Sequence, residues 1–291
     1  MATLAPITIE IPTEARPSDA EIDVFGVTHP GLVRKANQDH FLLSSLHKQM
    51  VIHGTSLPDA AQLPVRSERL AFFGMVADGV GSSAAGAQAS QRAISAIVEY
   101  VTHSALAYFA IDAASEDPFL EAFEQAAREA HRAVQDGVPV EPGHKAPATT
   151  LTLGIWVWPR AYILQVGDSR AYVYRGGALQ RVTRDQTFAE DMVDRGAFTP
   201  EQAANSPLRN VLSSAIGGSL APPVVTRETS TRDSIWLLCT DGLTKHVPDE
   251  RIAERLAAIE SSEQACRALL QDALDGGGTD NVTILIGKIR S

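Results

Sequence analysis

Along this chain apolar positions alternate, run together, or recur every three to four residues, and the changes between these patterns mark its elements. Ile22 to Thr28 alternates and predicts a first strand. Ala71 to Ala77 is a continuous apolar run stopped by Asp78-Gly79, the mark of a buried strand. Ala84 to Ala107 follows at helical period, with Ala87, Ile94, Ile97, Val98 and Val101 predicted on one face. Phe119 to Val134 predicts a second helix, with Phe119, Ala122, Phe123, Ala126 and Ala130 inward. Four strand-like runs come next: Thr149 to Trp156, Ala161 to Gln165, Ala171 to Arg175 and Ala178 to Val182. A hairpin turn is expected at Gly176-Gly177. Trp156 and Trp158 alternate, so both are expected to pack on one side. Phe188 to Arg195 and Pro200 to Ala204 predict short helices, while Asn210 to Ala215 is helical or irregular. Val224 to Thr229, Ser234 to Cys239 and Val282 to Ile289 read as strands. Asp249 to Ala258 and Ser262 to Leu274 read as helices, with Ser261 or Ser262 as an N-cap.

Residues 1–20 carry Pro6, Pro12 and Pro17 without a clear period, and are expected as a loose tail or an added edge strand. Residues 46–68, with Pro58 and Pro64, read as a surface loop, and residues 137–147 as another. The remainder, residues 21–291, is expected to form one domain. Its strands cluster into hairpins with helices in pairs between them, which predicts an α+β layered domain rather than a parallel doubly wound sheet.

Five aspartates stand at or beside the ends of these apolar runs: Asp39, Asp78, Asp168, Asp241 and Asp280. Carboxylates gathered at one end of a sheet repel one another, so a cleft that shares them implies divalent cations. The chain has 291 residues, 44% apolar and 21% charged, with a formal net charge of -10. That composition suits a soluble globular protein, and the acidic balance argues against a nucleic-acid binder. Only two cysteines are present, Cys239 and Cys266, so no disulfide framework is expected. No apolar stretch reaches the roughly 20 residues of a membrane span, and Met1 to Glu14 lacks the features of a signal peptide. The expected location is therefore the cytoplasm. The eight histidines show no metal-ligand spacing, and His131, beside Glu129 and Arg132, is expected to face solvent.

Six segments occur in order: Arg34-x-x-Asn37-Gln38-Asp39, Asp78-Gly79-x-Gly81, Thr149-Thr150, Gly167-Asp168-Ser169-Arg170, Asp241-Gly242 and Asp280-Asn281. Each alone is weak, since Asp-Gly is chiefly a turn signal. Together they resemble the metal-dependent Ser/Thr protein phosphatases of the PP2C (PPM) family, bacterial type, from about Val24 to Ile289. The resemblance implies a four-layer α-β-β-α sandwich: two antiparallel sheets flanked by helix pairs, with a binuclear Mn²⁺ or Mg²⁺ centre at one end. It implies that Asp78 bridges the two metals, that the Gly79 carbonyl binds the second, and that Asp241 and Asp280 complete the first. Asp39 would bind or orient water on the second metal. Asp168 with Asp241 resembles the family's weaker third-metal position, and Arg34 would grip the substrate phosphate. Residues 185–218 align with the flap beside the cleft of bacterial members. Substrates would be Ser/Thr-phosphorylated proteins, opposed to a cognate Ser/Thr kinase, and the chain is expected as a monomer with neither nucleic acid nor membrane as partner.

The chemistry agrees with those roles. Phosphate monoesters hydrolyse extremely slowly unaided. Two metals about 3.5–4 Å apart can share a water, lower its pKa and hold it for in-line attack. Hard cations want oxygen ligands, so His and Cys are not needed. The planar fork of Arg34 matches two phosphate oxygens. Some positions depart from the pattern. Gln38 stands where many eukaryotic members carry a metal-binding Glu, Val80 where they carry a His proposed as general acid, and Gln186 where a His is often found. Thr149 and Thr150 are expected to satisfy backbone groups, Asn281 to support the site from behind and Arg170 to anchor structure. Two other readings stay open at this point: a different metal enzyme such as a nuclease or small-molecule phosphoesterase, and a non-catalytic member that binds partners.

Overall fold

The structure, a computed structural model, describes residues 15–49, 68–104, 116–140 and 146–290. Two antiparallel five-stranded sheets lie at its centre. In spatial order the first contains β1 (Ile22–His29), β12 (Val282–Ile289), β11 (Ile235–Cys239), β8 (Arg170–Arg175) and β9 (Ala178–Arg181). The second contains β10 (Val224–Thr229), β7 (Arg160–Val166), β6 (Leu151–Val157), β3 (Glu68–Ala77) and β2 (His40–Lys48). A two-residue ribbon pairs β4 (Gly79–Val80) with β5 (Ala148–Thr149).

The sheets face each other through Val76, Ile163, Val173, Trp236, Leu238 and Leu285. Alternation along each strand sends the other residues outward, where helices cover them. Helices α1 (Ser83–His103) and α2 (Asp117–Gly137) bury Ile97, Phe119 and Phe123 against Phe73, Leu153 and Tyr162 of the second sheet. On the first sheet, α6 (Asp249–Ala257) and α7 (Ser262–Asp275) bury Ile252, Leu256 and Leu269 against Leu237 and Ile284. The expected four-layer sandwich is what forms. Helix α7 starts as predicted: Ser261 caps it by accepting from Gln264 N at 3.1 Å. The Gly176-Gly177 hairpin also forms, with φ of 58° and 82°. Two positive φ values in a two-residue loop are what a glycine pair supplies most cheaply.

Several expectations need correction. Val98 is 41% exposed, because the stripe that α1 buries runs through Ala85, Ala89, Ala93, Ile97 and Val101 at every fourth position and leaves Val98 beside it. Strand β6 ends at Val157, so Trp158 lies in the turn beyond the alternation, yet it walls the same cavity as Trp156. His131 is half-buried, not solvated: its Nδ1 accepts from Gly217 N at 3.0 Å. The ambiguous 210–215 stretch resolves into a 3₁₀ turn, Pro207–Asn210, followed by irregular chain. Helix α5 (Asp241–Thr244) was not foreseen. The strands β2 and β3 reach into the predicted loop at both ends, and residues 50–67 and 1–14 of the expected loop and tail lie outside the described residues. Among the described residues, no helix is long and apolar enough to cross a membrane.

Candidate metal centre

Antiparallel pairing brings alternate chain ends to one edge of the sandwich. Asp78 leaves β3, Asp168 follows β7 and Asp241 follows β11, while Asp39 precedes β2 and Asp280 precedes β12. All five therefore collect at one end, where a cleft of about 790 Å³ opens beside Asp168, Asp241 and Asp280. The opposite wall of that cleft comes from the segment carrying α3 (Phe188–Asp194) and α4 (Pro200–Ala204), through Thr187, Glu190 and Ala203. Residues between Asp185 and Asn210 thus line the cleft.

The floor is assembled by backbone contacts as much as by the carboxylates. Asp78 donates its N–H to Thr150 Oγ1 at 3.0 Å, and its carbonyl accepts from Thr150 N and Thr149 Oγ1, each at 2.9 Å. Both threonines act on backbone groups, as expected. Asn281 ties the 30–38 loop to the start of β12: Oδ1 accepts from Gln38 N, and Nδ2 donates to the carbonyls of Pro30 and Ala36, all at 2.9 Å. Two glycines allow the close approaches. A Cβ on Gly79 would stand 2.2 Å from the Gly86 carbonyl oxygen, and one on Gly242 would stand 1.9 Å from that of Asn281. The small residue after Asp78 and after Asp241 is therefore demanded by neighbouring backbone, a reason that turn propensity alone does not supply.

Asp39 is the most enclosed of the set, at 2% exposed. The hydroxyls of Thr240 and Thr283 each donate to its Oδ2 at 2.8 Å, while Oδ1 has no partner among the described residues. Burial pushes this carboxyl up to about 7, against the two hydroxyls; Asp241 and Asp280 add to the rise. Asp78 is driven well above the usual range by burial and then by the charges of Asp39, Asp241, Asp168 and Asp280. Asp168 rises to about 8 for the same reasons, burial first and Asp241 next, with Lys245 opposing. Such a set is uncomfortable as bare carboxylates and suited to cations.

Lys245 was missed by the sequence reading. It stands one turn after Asp241, and its Nζ lies 2.6 Å from Asp241 Oδ2 and 2.8 Å from Asp280 Oδ2. Burial lowers its pKa, but Asp241 and Asp280 outweigh that, so the ammonium form is reinforced. The i,i+4 spacing was a signal in plain view. Arg34 also sits on Asp280, with Nε 2.9 Å from Oδ1 and Nη2 3.0 Å from Oδ2. Burial raises the Asp280 carboxyl, yet Lys245 and Arg34 together bring it below its ordinary value. Asp241 keeps Oδ1 buried and without a hydrogen-bond partner among the described residues. As placed, no three His, Cys, Asp or Glu side chains of the described residues are drawn together tightly enough to share one ion. The donor set nevertheless fits hard divalent cations: all oxygen, two orphaned carboxylate atoms, and neighbouring like charges that only a cation relieves.

Among the residues that depart from the expected pattern, Gln38 donates its side-chain amide to the Ser82 carbonyl at 3.2 Å, and Val80 is 44% exposed. Gln186 accepts from Gly167 N at 2.8 Å and steadies the turn before Asp168. Arg170 is fastened to Asp185, Nη2 to Oδ2 at 2.7 Å, and to the Tyr172 hydroxyl at 3.1 Å, which anchors the start of the 185–218 segment. Both cysteines are buried and free, and burial raises each thiol.

A sandwich of this topology with acidic groups at one end defines a class, and comparison with known proteins identifies it. The family model for protein phosphatase 2C matches residues 48–275, and the chain belongs to that family, the metal-dependent Ser/Thr protein phosphatases. It is 37% identical over 214 residues to the serine/threonine protein phosphatase PstP of Mycobacterium tuberculosis, a match spanning 74% of this chain and 40% of that protein. The crystal structure of that phosphatase superposes with a TM-score of 0.72 at 29% identity, covering 93% of this chain and 99% of the other. The PstP catalytic domain in complex with two manganese ions gives 0.69 at 28% identity, with the same coverage. The chain thus corresponds to about two fifths of the length of full PstP and to nearly all of its crystallised domain.

Proposed function

We propose that this chain hydrolyses phosphoserine and phosphothreonine in proteins, using two Mn²⁺ or Mg²⁺ ions held by Asp39, Asp78, the Gly79 carbonyl, Asp241 and Asp280. The observation that carries this reading is the pair of buried oxygens without partners, Asp39 Oδ1 and Asp241 Oδ1, in one acidic floor beneath a cleft. When bound, a divalent pair supplies charge neutralisation and activates a water for in-line attack on phosphorus. The protein's own groups do the rest. Thr240 and Thr283 fix Asp39 so that Oδ1 alone is free to coordinate. Thr149 and Thr150 hold the backbone of Asp78, and Asn281 holds the loop bearing Arg34. Arg34 is half exposed at the mouth, and its guanidinium receives the substrate phosphate, exchanging Asp280 for phosphate oxygens; its exposure and its planar fork support this role. Asp168 completes the acidic floor on the side of the flap.

No nucleophilic Cys or Ser is needed, which fits two buried thiols of raised pKa. The flap wall, with Thr187, Glu190 and Ala203, is the surface a phosphopeptide would meet on either side of its phosphoresidue. The implied partner system is a Ser/Thr kinase whose products this enzyme reverses.

The test is turnover of a phosphothreonine peptide, a nucleotide and a phosphodiester by purified protein with Mn²⁺, Mg²⁺ or EDTA. The expected result is hydrolysis of the phosphopeptide that needs a divalent ion and disappears in Asp241→Asn. Equal activity in EDTA, a preference for the phosphodiester, or no difference between the native protein and the variant would reject the proposal.

A further inference from the structure

Lys245 has a role that a surface ion pair does not explain. Its ammonium is shared between two carboxylates from different elements, at 2.6 Å from Asp241 Oδ2 and 2.8 Å from Asp280 Oδ2. Its position is built in: Lys245 N donates to the Asp241 carbonyl at 2.8 Å, so α5 fixes both ends of the pair. It also lines the cleft with Asp168, whose carboxylate feels its charge. One ammonium therefore bridges two of the five aspartates and stands in the same cleft as a third.

The oxygens it uses matter. On Asp241 it takes Oδ2 and leaves Oδ1 without a partner, so a divalent ion and the ammonium can share that carboxylate without competing for one atom. An ammonium is a compact point charge with three donors, the nearest protein equivalent of a small cation. A further divalent ion on the Asp168 side of Asp241 would lie close to it and be repelled by it. The charge count agrees. Two divalent ions and the Lys245 ammonium match the five aspartates, which leaves Arg34 as the net positive charge facing a phosphate.

We propose that Lys245 is a tethered third cation of this centre: it bridges Asp241 and Asp280, takes the Asp241 oxygen that a further ion on the Asp168 side would need, and holds the saturated site at two divalent ions. The third-metal role expected for Asp168 thereby passes to a side chain. Lys245 acts here as a positioning residue, through the metal-bearing carboxylates, and the inference rests on the binuclear reading above.

The experiment counts Mn²⁺ bound to the purified full chain, by calorimetry and by electron paramagnetic resonance of free ion, up to millimolar Mn²⁺. Native protein should bind two ions and no more. Lys245→Met should admit a further, weak ion and reach three, while Lys245→Arg, which keeps the charge, should stay at two. Melting in EDTA should drop for Lys245→Met and return towards the native value with Mn²⁺, a recovery that a merely structural lysine would not show. If Lys245→Met does not fold, Lys245→Gln serves in the same measurement. Three ions in the native protein, or two in a folded uncharged variant, overturns the role of Lys245. Fewer than two ions in the native protein overturns the binuclear reading itself.

Discussion

The space between the two sheets is finished differently at its two ends, although the same strands build both. At one end β3 delivers Asp78, β11 leads to Asp241 and β12 begins after Asp280. At the other, β3 contributes Phe72, β11 contributes Trp236 and β12 finishes with Ile289, around an apolar cavity of about 90 Å³ walled also by Trp156 and Trp158. Trp236 meets Trp156 edge to face, ring centres 5.6 Å apart. Each end has its unsatisfied polar atoms. Among the described residues they include the neutral indole N–H of Trp156 at the apolar end, and one oxygen each of Asp39 and Asp241 at the acidic end. A neutral donor left without a partner costs about 1–3 kcal/mol and can be tolerated. Burial, and then the charge of neighbouring aspartates, drives up the pKa of Asp39, Asp78 and Asp168, so that end is incomplete as bare protein. One end of the sandwich is built for stability, the other for a ligand charge.

Substitutions can separate the two ends. The largest effect is expected from Asp241→Asn: phosphopeptide turnover with Mn²⁺ should fall about a thousandfold, several kcal/mol of transition-state stabilisation, while the melting temperature holds or rises as repulsion eases. At the opposite end, Trp236→Ala should cost about 3–5 kcal/mol in urea unfolding and leave kcat per folded molecule nearly unchanged. If the apolar variant lost activity without losing stability, the two ends would not be independent. Thr240→Val, which removes one of the two hydroxyls on Asp39, should weaken Mn²⁺ binding by about 10–100-fold in calorimetry. Arg34→Ala should raise KM by about tenfold and leave the Mn²⁺ stoichiometry unchanged; an unaltered KM would remove Arg34 from the site.

The smallest effect lies away from both ends, on the helix layer. Arg255, and after it Arg251, hold Asp272 by charge-assisted hydrogen bonds, which bring its carboxyl down to about 2 against a smaller rise from burial. A depressed carboxyl contributes stability that is present above its unfolded value near 3.9. That contribution is lost as pH falls through about 2. In Asp272→Asn the acid limb of the unfolding curve should flatten between these values, by about 1 kcal/mol or less because solvent screens the group.

The site was legible where chemistry is written into neighbouring letters, and silent where it depends on meeting across the chain. The five aspartates could be picked out because each abuts a strand-like run. The hydroxyls on Asp39 come from Thr240 and Thr283, which flank Asp241 and Asp280 but carry no motif of their own. The backbone contact that requires Gly242 comes from Asn281, far along the chain. Lys245 had a local signal, one turn from Asp241, yet its second partner, Asp280, is joined to it only by the fold. Val98 and His131 show the same limit for packing: helical period gives a stripe about a turn wide, and its exact centre is set by what covers it.

The order of residues by itself determined that strands alternate with helix pairs and that they stop at carboxylates, because periodicity is a local property of a polymer. Which carboxylate oxygens are spoken for, which remain open, and that an ammonium stands among them were decided only by tertiary structure. Those facts depend on ångström separations between groups as much as 246 positions apart, and electrostatic and hydrogen-bond energies change steeply over such distances.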